Sequence, residues 1–260
     1  MRAAVISDIH SNLPALKAVL KDWEGWQIDQ VWCLGDIVGY GADPWACWKI
    51  IADLGALIVK GNHEEALDNQ REFELFNDRA QAGIIHARQE LEKSGQPSPC
   101  LALPLRIDLE EFGVSLVHGT FNHPEKYDYV IDDYDAFYQL AYCLPYPIGF
   151  VGHTHRPFFA SVPADQPAFL TDWLTNISEG KGLDSQEIFL DKNKKYLINP
   201  GSVGQPRDYD PRAGYGILEV AEGKKIFSFR RVPYDVEAAG GRIKEAGLPE
   251  SLADRLHRGN

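Results

Sequence analysis

Apolar positions along the first sixty residues change period several times. Residues 3–7, AAVIS, form a run with the length of a short buried strand. The next stretch, SNLPALKAVLKDW, switches to helical spacing, with Leu13, Leu16, Leu20 and Trp23 on one face. Pro14 sits near its start, where a missing N–H costs no hydrogen bond. QVWCLGD reads as a second strand. DPWACWKIIADLG reads as a second helix, with Asp43 as N-cap, Pro44 in the first turn and Gly55 at the end. ALIVKGNH reads as a third strand, ending in Asn62 and His63. This strand–helix alternation predicts parallel strands joined by crossovers.

Positions 64–94 keep a helical pattern, and RAQAGIIHARQELEKSG within them is amphipathic. LRIDLEEFGVSLVHG predicts a hairpin, DDYDAFYQLAYCL a helix, and PIGFVGH a strand followed by RPFFASV. Residues 163–186 are polar and irregular and read as an insertion. EIFL and KYLINPGS resume strands, GYGILEV and KKIFSFRRVPYD predict a closing hairpin, and 236–257 is helical. There is no repeat, and no linker long enough to separate domains. The 260 residues, 44% hydrophobic, are therefore expected to form a single domain around one substantial core. The segments 66–100 and 163–186 are expected to shape substrate access.

Composition narrows the function classes. No apolar run has membrane-spanning length, and the start, MRAAVISDIH, reads directly as a strand. Cys33, Cys47, Cys100 and Cys143 have no close pair among them, which favours free thiols in a reducing cytoplasm over disulfides or a zinc knuckle. Net charge is −12, from 26 basic and 38 acidic residues, so no basic groove for nucleic acid is expected. A protein this acidic repels phosphates at long range, and handling them requires a local positive centre.

Metal-competent residues gather where the predicted strands end. SDIH supplies Asp8 and His10, and LGD supplies Asp36. GNHE supplies Asn62 and His63, VHG supplies His118, and FVGHTHRP supplies His153 and His155. In an extended segment the last two histidines point the same way. Ligands of open α/β sheets bind at this carboxyl edge, and the neighbouring glycines allow sharp turns there. Each motif alone is weak, but five in this order are hard to obtain by accident.

The order Asp-x-His, Gly-Asp, Gly-Asn-His-Glu, His, Gly-His-x-His resembles the calcineurin-like metallophosphoesterase superfamily. GDIVGYGADP and NPGSVGQPRDYDP resemble its small, mostly prokaryotic phosphodiesterase and phosphatase branch. The resemblance implies an α+β fold in which two facing mixed β-sheets form a sandwich flanked by helices, in four layers. It implies two divalent ions, manganese, iron or zinc. Asp8, His10, Asp36 and His155 would hold one, and Asp36, Asn62, His118 and His153 the other. Mixed carboxylate, imidazole and amide donors suit these metals. Two ions bring +4 against −2 from Asp8 and Asp36, which would be the positive centre the acidic surface requires. The implied activity is hydrolysis of a phosphodiester or phosphomonoester, extending to nucleotides and dinucleoside polyphosphates, by metal-activated hydroxide. Asp36, Asn62 and His63 form the implied catalytic set, with His63 as general acid or transition-state stabiliser. The alternative is a catalytically silent scaffold on the same fold. The expected partner is a small phosphate ester or nucleotide, with oligomerisation open.

One departure matters. Serine/threonine phosphatases of the superfamily carry Gly-Asp-x-x-Asp-Arg-Gly, whereas this chain has Gly39 and Tyr40 at the last Asp and Arg positions. That argues against a protein phosphatase and leaves the partner of His63 open. Arg207 is a candidate phosphate contact, or a surface ion pair. Tyr40 is a candidate pocket wall, or core packing. His86, His123 and His257 read as packing or surface residues, and the tryptophans as core.

Overall fold

The computed structural model describes residues 1–95, 98–165 and 186–260. Nearly all of the insertion expected at 163–186 lies outside the described residues. Among the described residues eleven strands build two mixed sheets. The first contains β1 (Arg2–Ile6), β2 (Gln30–Cys33), β3 (Leu57–Ile58), β8 (Glu187–Phe189), β10 (Ala213–Ala221) and β11 (Lys224–Val232), in the order β3-β2-β1-β10-β11-β8. The second contains β4 (Arg106–Leu109), β5 (Val114–Val117), β6 (Ile148–Phe150), β7 (Phe158–Pro163) and β9 (Lys194–Asn199), in the order β4-β5-β6-β9-β7. β1, β2 and β3 run parallel to one another, as do β5, β6 and β9. The remaining pairs are antiparallel.

Alternation along β1 explains the layers. Ala3 and Val5 face a core between the sheets, with Trp32, Leu116, Phe150 and Phe227. Ala4 and Ile6 face the opposite way, against helices α1 (Leu13–Trp23), α2 (Pro44–Asp53) and α5 (Asp78–Lys93). Helix α6 (Asp133–Tyr138), followed by a π-helical turn at Gln139–Cys143, covers the outer face of the second sheet. The result is helix, sheet, sheet, helix. Helices α7 (Val236–Glu245) and α8 (Glu250–Arg258) form a satellite core over Tyr40 and Ala80. Among the described residues no helix is long and apolar enough to cross a membrane. The four cysteines are free thiols.

Three sequence expectations change. The third strand is only two residues long, and Asn62 and His63 open helix α3 (Asn62–Asp68) instead of ending a strand. The helical pattern at 64–94 breaks into α3, α4 (Gln70–Glu74) and α5, because Asn69 and Asn77 turn their side chains onto the next N–H groups and start new helices. Asp43 occupies the N-cap position of α2 but makes no side-chain cap, because its carboxylate is taken by Arg242. Asn12 does cap α1, accepting from the Ala15 N–H at 3.1 Å.

Phe150 is fully buried between the sheets, 6.2 Å from Trp32 and 5.3 Å from Phe227 by ring centroids. Truncation to alanine should lower unfolding free energy by about 3–5 kcal/mol, read by urea titration; a loss under about 1 kcal/mol would mean the sheets close over the gap.

Candidate metal centre

Both sheets send the carboxyl ends of their parallel strands to one seam. Asp8 follows β1, Asp36 follows β2, His118 follows β5, and His153 and His155 follow β6. Two groups of donors result, Asp8–His10–Asp36–His155 and Asp36–His118–His153, each with ligand atoms within 4.8 Å of one another. Asp36 belongs to both, and all six residues are buried.

The hydrogen bonds around the rings assign their tautomers. The Nδ1 of His10 faces the Val38 carbonyl at 3.1 Å, that of His118 the Leu34 carbonyl at 2.7 Å, and that of His155 the Gln205 carbonyl at 2.6 Å. A carbonyl only accepts, so each Nδ1 carries the proton, and in the neutral ring Nε2 presents a lone pair. Those lone pairs converge. The Nε2 atoms of His10 and His155 lie 3.1 Å apart, and His118 Nε2 lies 3.1 Å from His153 Nδ1. Carboxylate oxygens close the same spaces: Asp8 Oδ1 is 3.3 Å from His155 Nε2, and Asp36 Oδ2 is 3.3 Å from His118 Nε2. Both Asp8 carboxylate oxygens and Asn62 Oδ1 are buried without a hydrogen-bond donor. Lone pairs facing lone pairs repel, and cations between them remove the repulsion. The residues therefore fit a divalent metal site built of carboxylate and imidazole donors.

Electrostatics tell the same story. Burial is the leading cause holding His10, His153 and His155 well below the usual imidazole range, so these rings are neutral. Burial also opposes charge on His118, but the neighbouring Asp36 carboxylate outweighs it and lifts His118 to about 9. Burial, with Asp36 adding to it, raises Asp8 to about 7. Positive charge is thus in demand at the centre, and a bound cation supplies it.

The donors converge only because the backbone bends. Asp8, His10, Asp36, His153 and His155 all have positive φ, between 48° and 65°. His153 and His155 are therefore not successive residues of an extended segment, and each ring enters a different donor group. Left-handed non-glycine residues cost roughly 1–3 kcal/mol each and persist where their surroundings over-determine them. Here the surroundings are specific. The Asp8 carbonyl accepts from the Gly204 N–H at 3.0 Å and the Ser202 hydroxyl at 2.8 Å, and the His10 N–H donates to the Asp36 carbonyl at 2.9 Å. Asn199 Nδ2 donates to the Gly152 carbonyl at 2.8 Å, just before His153. These braces come largely from the NPGSVGQ stretch.

Glu64, which the sequence reading left without a role, grips the Asp36 turn. Its Oε2 accepts from the Asp36 and Gly61 N–H groups at 2.7 and 3.0 Å, and its Oε1 from those of Ile37 and Val38 at 2.8 and 3.2 Å. Gly61 is required beside it, since a Cβ there would overlap the Asp36 carboxylate. The cue was present in GNHE, but four N–H partners from two segments are a tertiary fact.

His63 has no orienting carboxylate. Its Nδ1 is buried without a partner, and a Cβ at Gly39 would overlap that atom. Packing orients the ring instead, between His10, Tyr40 and Phe76 at centroid distances of 4.6, 4.6 and 4.8 Å. Burial lowers its pKa to about 4. A cavity of about 140 Å³ opens over Asp36, Asn62, His63, His153 and His155. Tyr40 and Arg207 both line it, with the guanidinium 5.9 Å from the Tyr40 ring. Tyr40 is thus both packed and on the pocket wall. Arg207 donates to the Gln205 side chain at 3.0 Å, and its Nε is buried without a partner. Tyr129, not singled out by sequence, stacks on His153 at 3.8 Å and joins the wall. His86, His123 and His257 stay away from the centre: His86 faces the Ala42 carbonyl, and the others lie beside Glu125 and Glu237.

Residues 1–223 match the model of the calcineurin-like phosphoesterase superfamily domain. An uncharacterized protein of Methanocaldococcus jannaschii is 39% identical over 259 residues, 98% of this chain and 97% of that protein. The crystal structure of a metallophosphoesterase from Sphaerobacter thermophilus is similar over 100% of this chain and 99% of its own, at 34% identity and a TM-score of 0.79. A hypothetical protein from Pyrococcus horikoshii shares the fold, at 20% identity and a TM-score of 0.74, covering 100% of this chain and 98% of its own.

Glu64→Gln would turn an amide NH₂ against backbone N–H donors. Denaturant unfolding in the presence of chelator should show a loss of roughly 1–3 kcal/mol, the cost of buried donors left unpaired. Unchanged stability would mean that the Asp36 turn holds itself.

Proposed function

The chain belongs to the calcineurin-like phosphoesterase superfamily, and from that premise we propose that it is a dinuclear, metal-dependent phosphoesterase acting on a small phosphodiester, phosphomonoester or nucleotide. The observation that supports this reading is the sharing of Asp36 between two donor groups whose lone pairs face each other. In this reading Asp8, His10, Asp36 and His155 hold one ion, and Asp36, Asn62, His118 and His153 hold the other. Bound divalent ions supply Lewis acidity at phosphoryl oxygens and make water a nucleophile near neutral pH.

The remaining roles belong to the chain. Asp36 sets the spacing of the two sites, and Glu64 sets the position of Asp36. His63, neutral because it is buried, donates a hydrogen bond to the departing oxygen rather than carrying a full proton to it. Arg207 presents its guanidinium to phosphate oxygens, and Tyr40 buttresses it by cation–π contact. Leu75, Phe76 and Ala80 line the cavity, which supports a role for 66–100 in substrate access. The net charge of −12 favours a small ligand over nucleic acid, and four free thiols fit a reducing, cytoplasmic setting. The whole chain would act as one catalytic unit.

Manganese-dependent hydrolysis of a chromogenic phosphodiester and the matching monoester should be detectable and should vanish with chelator; no turnover of either by protein with two ions bound would overturn the enzyme reading. His63→Ala should keep its metal and lose roughly 10²–10³ in kcat, the cost of one hydrogen-bond donor to developing charge. Asp36→Asn should lose metal, by elemental analysis, together with activity, and normal metal content there would contradict the bridging role.

A further inference from the structure

Of the four histidines in the donor groups, three are locked by backbone. His10, His118 and His155 each donate Nδ1–H to a carbonyl and present Nε2. His153 is turned the other way. It presents Nδ1, 3.1 Å from His118 Nε2, and among the described residues no carbonyl or carboxylate accepts from its ring. Asn199 holds the Gly152 carbonyl just before it, which sets the His153 backbone but not the rotation of its side chain. An unbraced ring must be ordered by the ion itself, which weakens the binding of that ion.

Tyr129 is placed to brace it. The two rings are stacked, with centroids 3.8 Å apart and planes 16° apart. The other ring contacts of His10, His63, His118 and His153 among the described residues have centroids 4.6–6.1 Å apart and planes at 29° or more. The chain builds this position from both sides. Tyr127 and Val130, flanking Tyr129, are buried. A Cβ at Gly119 would overlap the Asp128 carbonyl, so the segment packs tightly on the turn after His118. The Ile131 N–H donates to the Asp135 carboxylate at 3.0 Å, which ties the segment to α6. Tyr129 itself is 45% exposed and lines the cavity with His153, so its ring is not there to fill the core.

We propose that Tyr129 is a positioning residue of the metal centre. By stacking, its ring holds the His153 imidazole with Nδ1 toward the donor group, in place of the backbone carbonyl that orients each of the other three rings. This role rests on the metal-dependent reading, and it concerns the ion held by Asp36, Asn62, His118 and His153 rather than its neighbour.

Calorimetric titration of metal-free protein with manganese is the first test. The unmodified protein should take up two ions in separable steps. Tyr129→Ala should weaken, by about tenfold, the step that His153→Ala removes, and leave the other step unchanged. Tyr129→Phe should restore both, because the stack needs the ring and not the hydroxyl. Unchanged binding in Tyr129→Ala, equal weakening of both steps, or failure of the Tyr129→Phe rescue would overturn the role. Fewer than two ions on the unmodified protein would count against the dinuclear reading alone, and NMR of the metal-free protein then decides the brace. The His153 ring should give one sharp set of resonances in the unmodified protein and in Tyr129→Phe, and broadened ones in Tyr129→Ala. Equally sharp resonances in Tyr129→Ala would overturn the role there.

Discussion

Six buried side chains turn lone pairs and carboxylate oxygens toward one another across the seam of two sheets, and that mutual repulsion is the constraint around which the rest is arranged. Backbone carbonyls accept from Nδ1–H of three of the rings and so aim Nε2 inward, and neutral imidazoles cannot relieve the conflict among themselves. Only positive charge can. The Asp36 carboxylate raises His118 above the usual imidazole range against the cost of burial, in keeping with a site that favours positive charge.

Such a site is held together from outside. Five donors sit at positive φ, each a local strain that an isolated loop would relax. Loop 200–205 braces Asp8 and His155, Asn199 braces the turn before His153, and Glu64 clamps the turn at Asp36. The parallel strands behind these loops supply rigidity, because their core faces interlock between sheets and against helices. Preorganised positions of this kind hold their donors in place without reorganisation.

His63 is placed by packing instead of by a charged partner. Where a carboxylate orients such a ring in related serine/threonine phosphatases, Gly39 here leaves space, and three aromatic rings hold the imidazole by contact. Packing without a charged partner keeps the ring neutral.

The Asp and His residues of the buried cluster were legible in sequence because their chemistry is local: each is placed just past an apolar strand, next to glycine or to another such residue. The order of strands and helices was legible for the same reason, since periodicity and Gly or Pro punctuation act within a few residues. Tertiary structure decided the rest. It moved Asn62 and His63 from a strand end to a helix start, bent His153 and His155 out of an extended line, and diverted Asp43 from capping to Arg242. It also gave Glu64 four donors and set Tyr129 on His153. Residue type and short-range period fix what a side chain can do, but which partners surround it depends on long-range contacts that no local window of sequence contains.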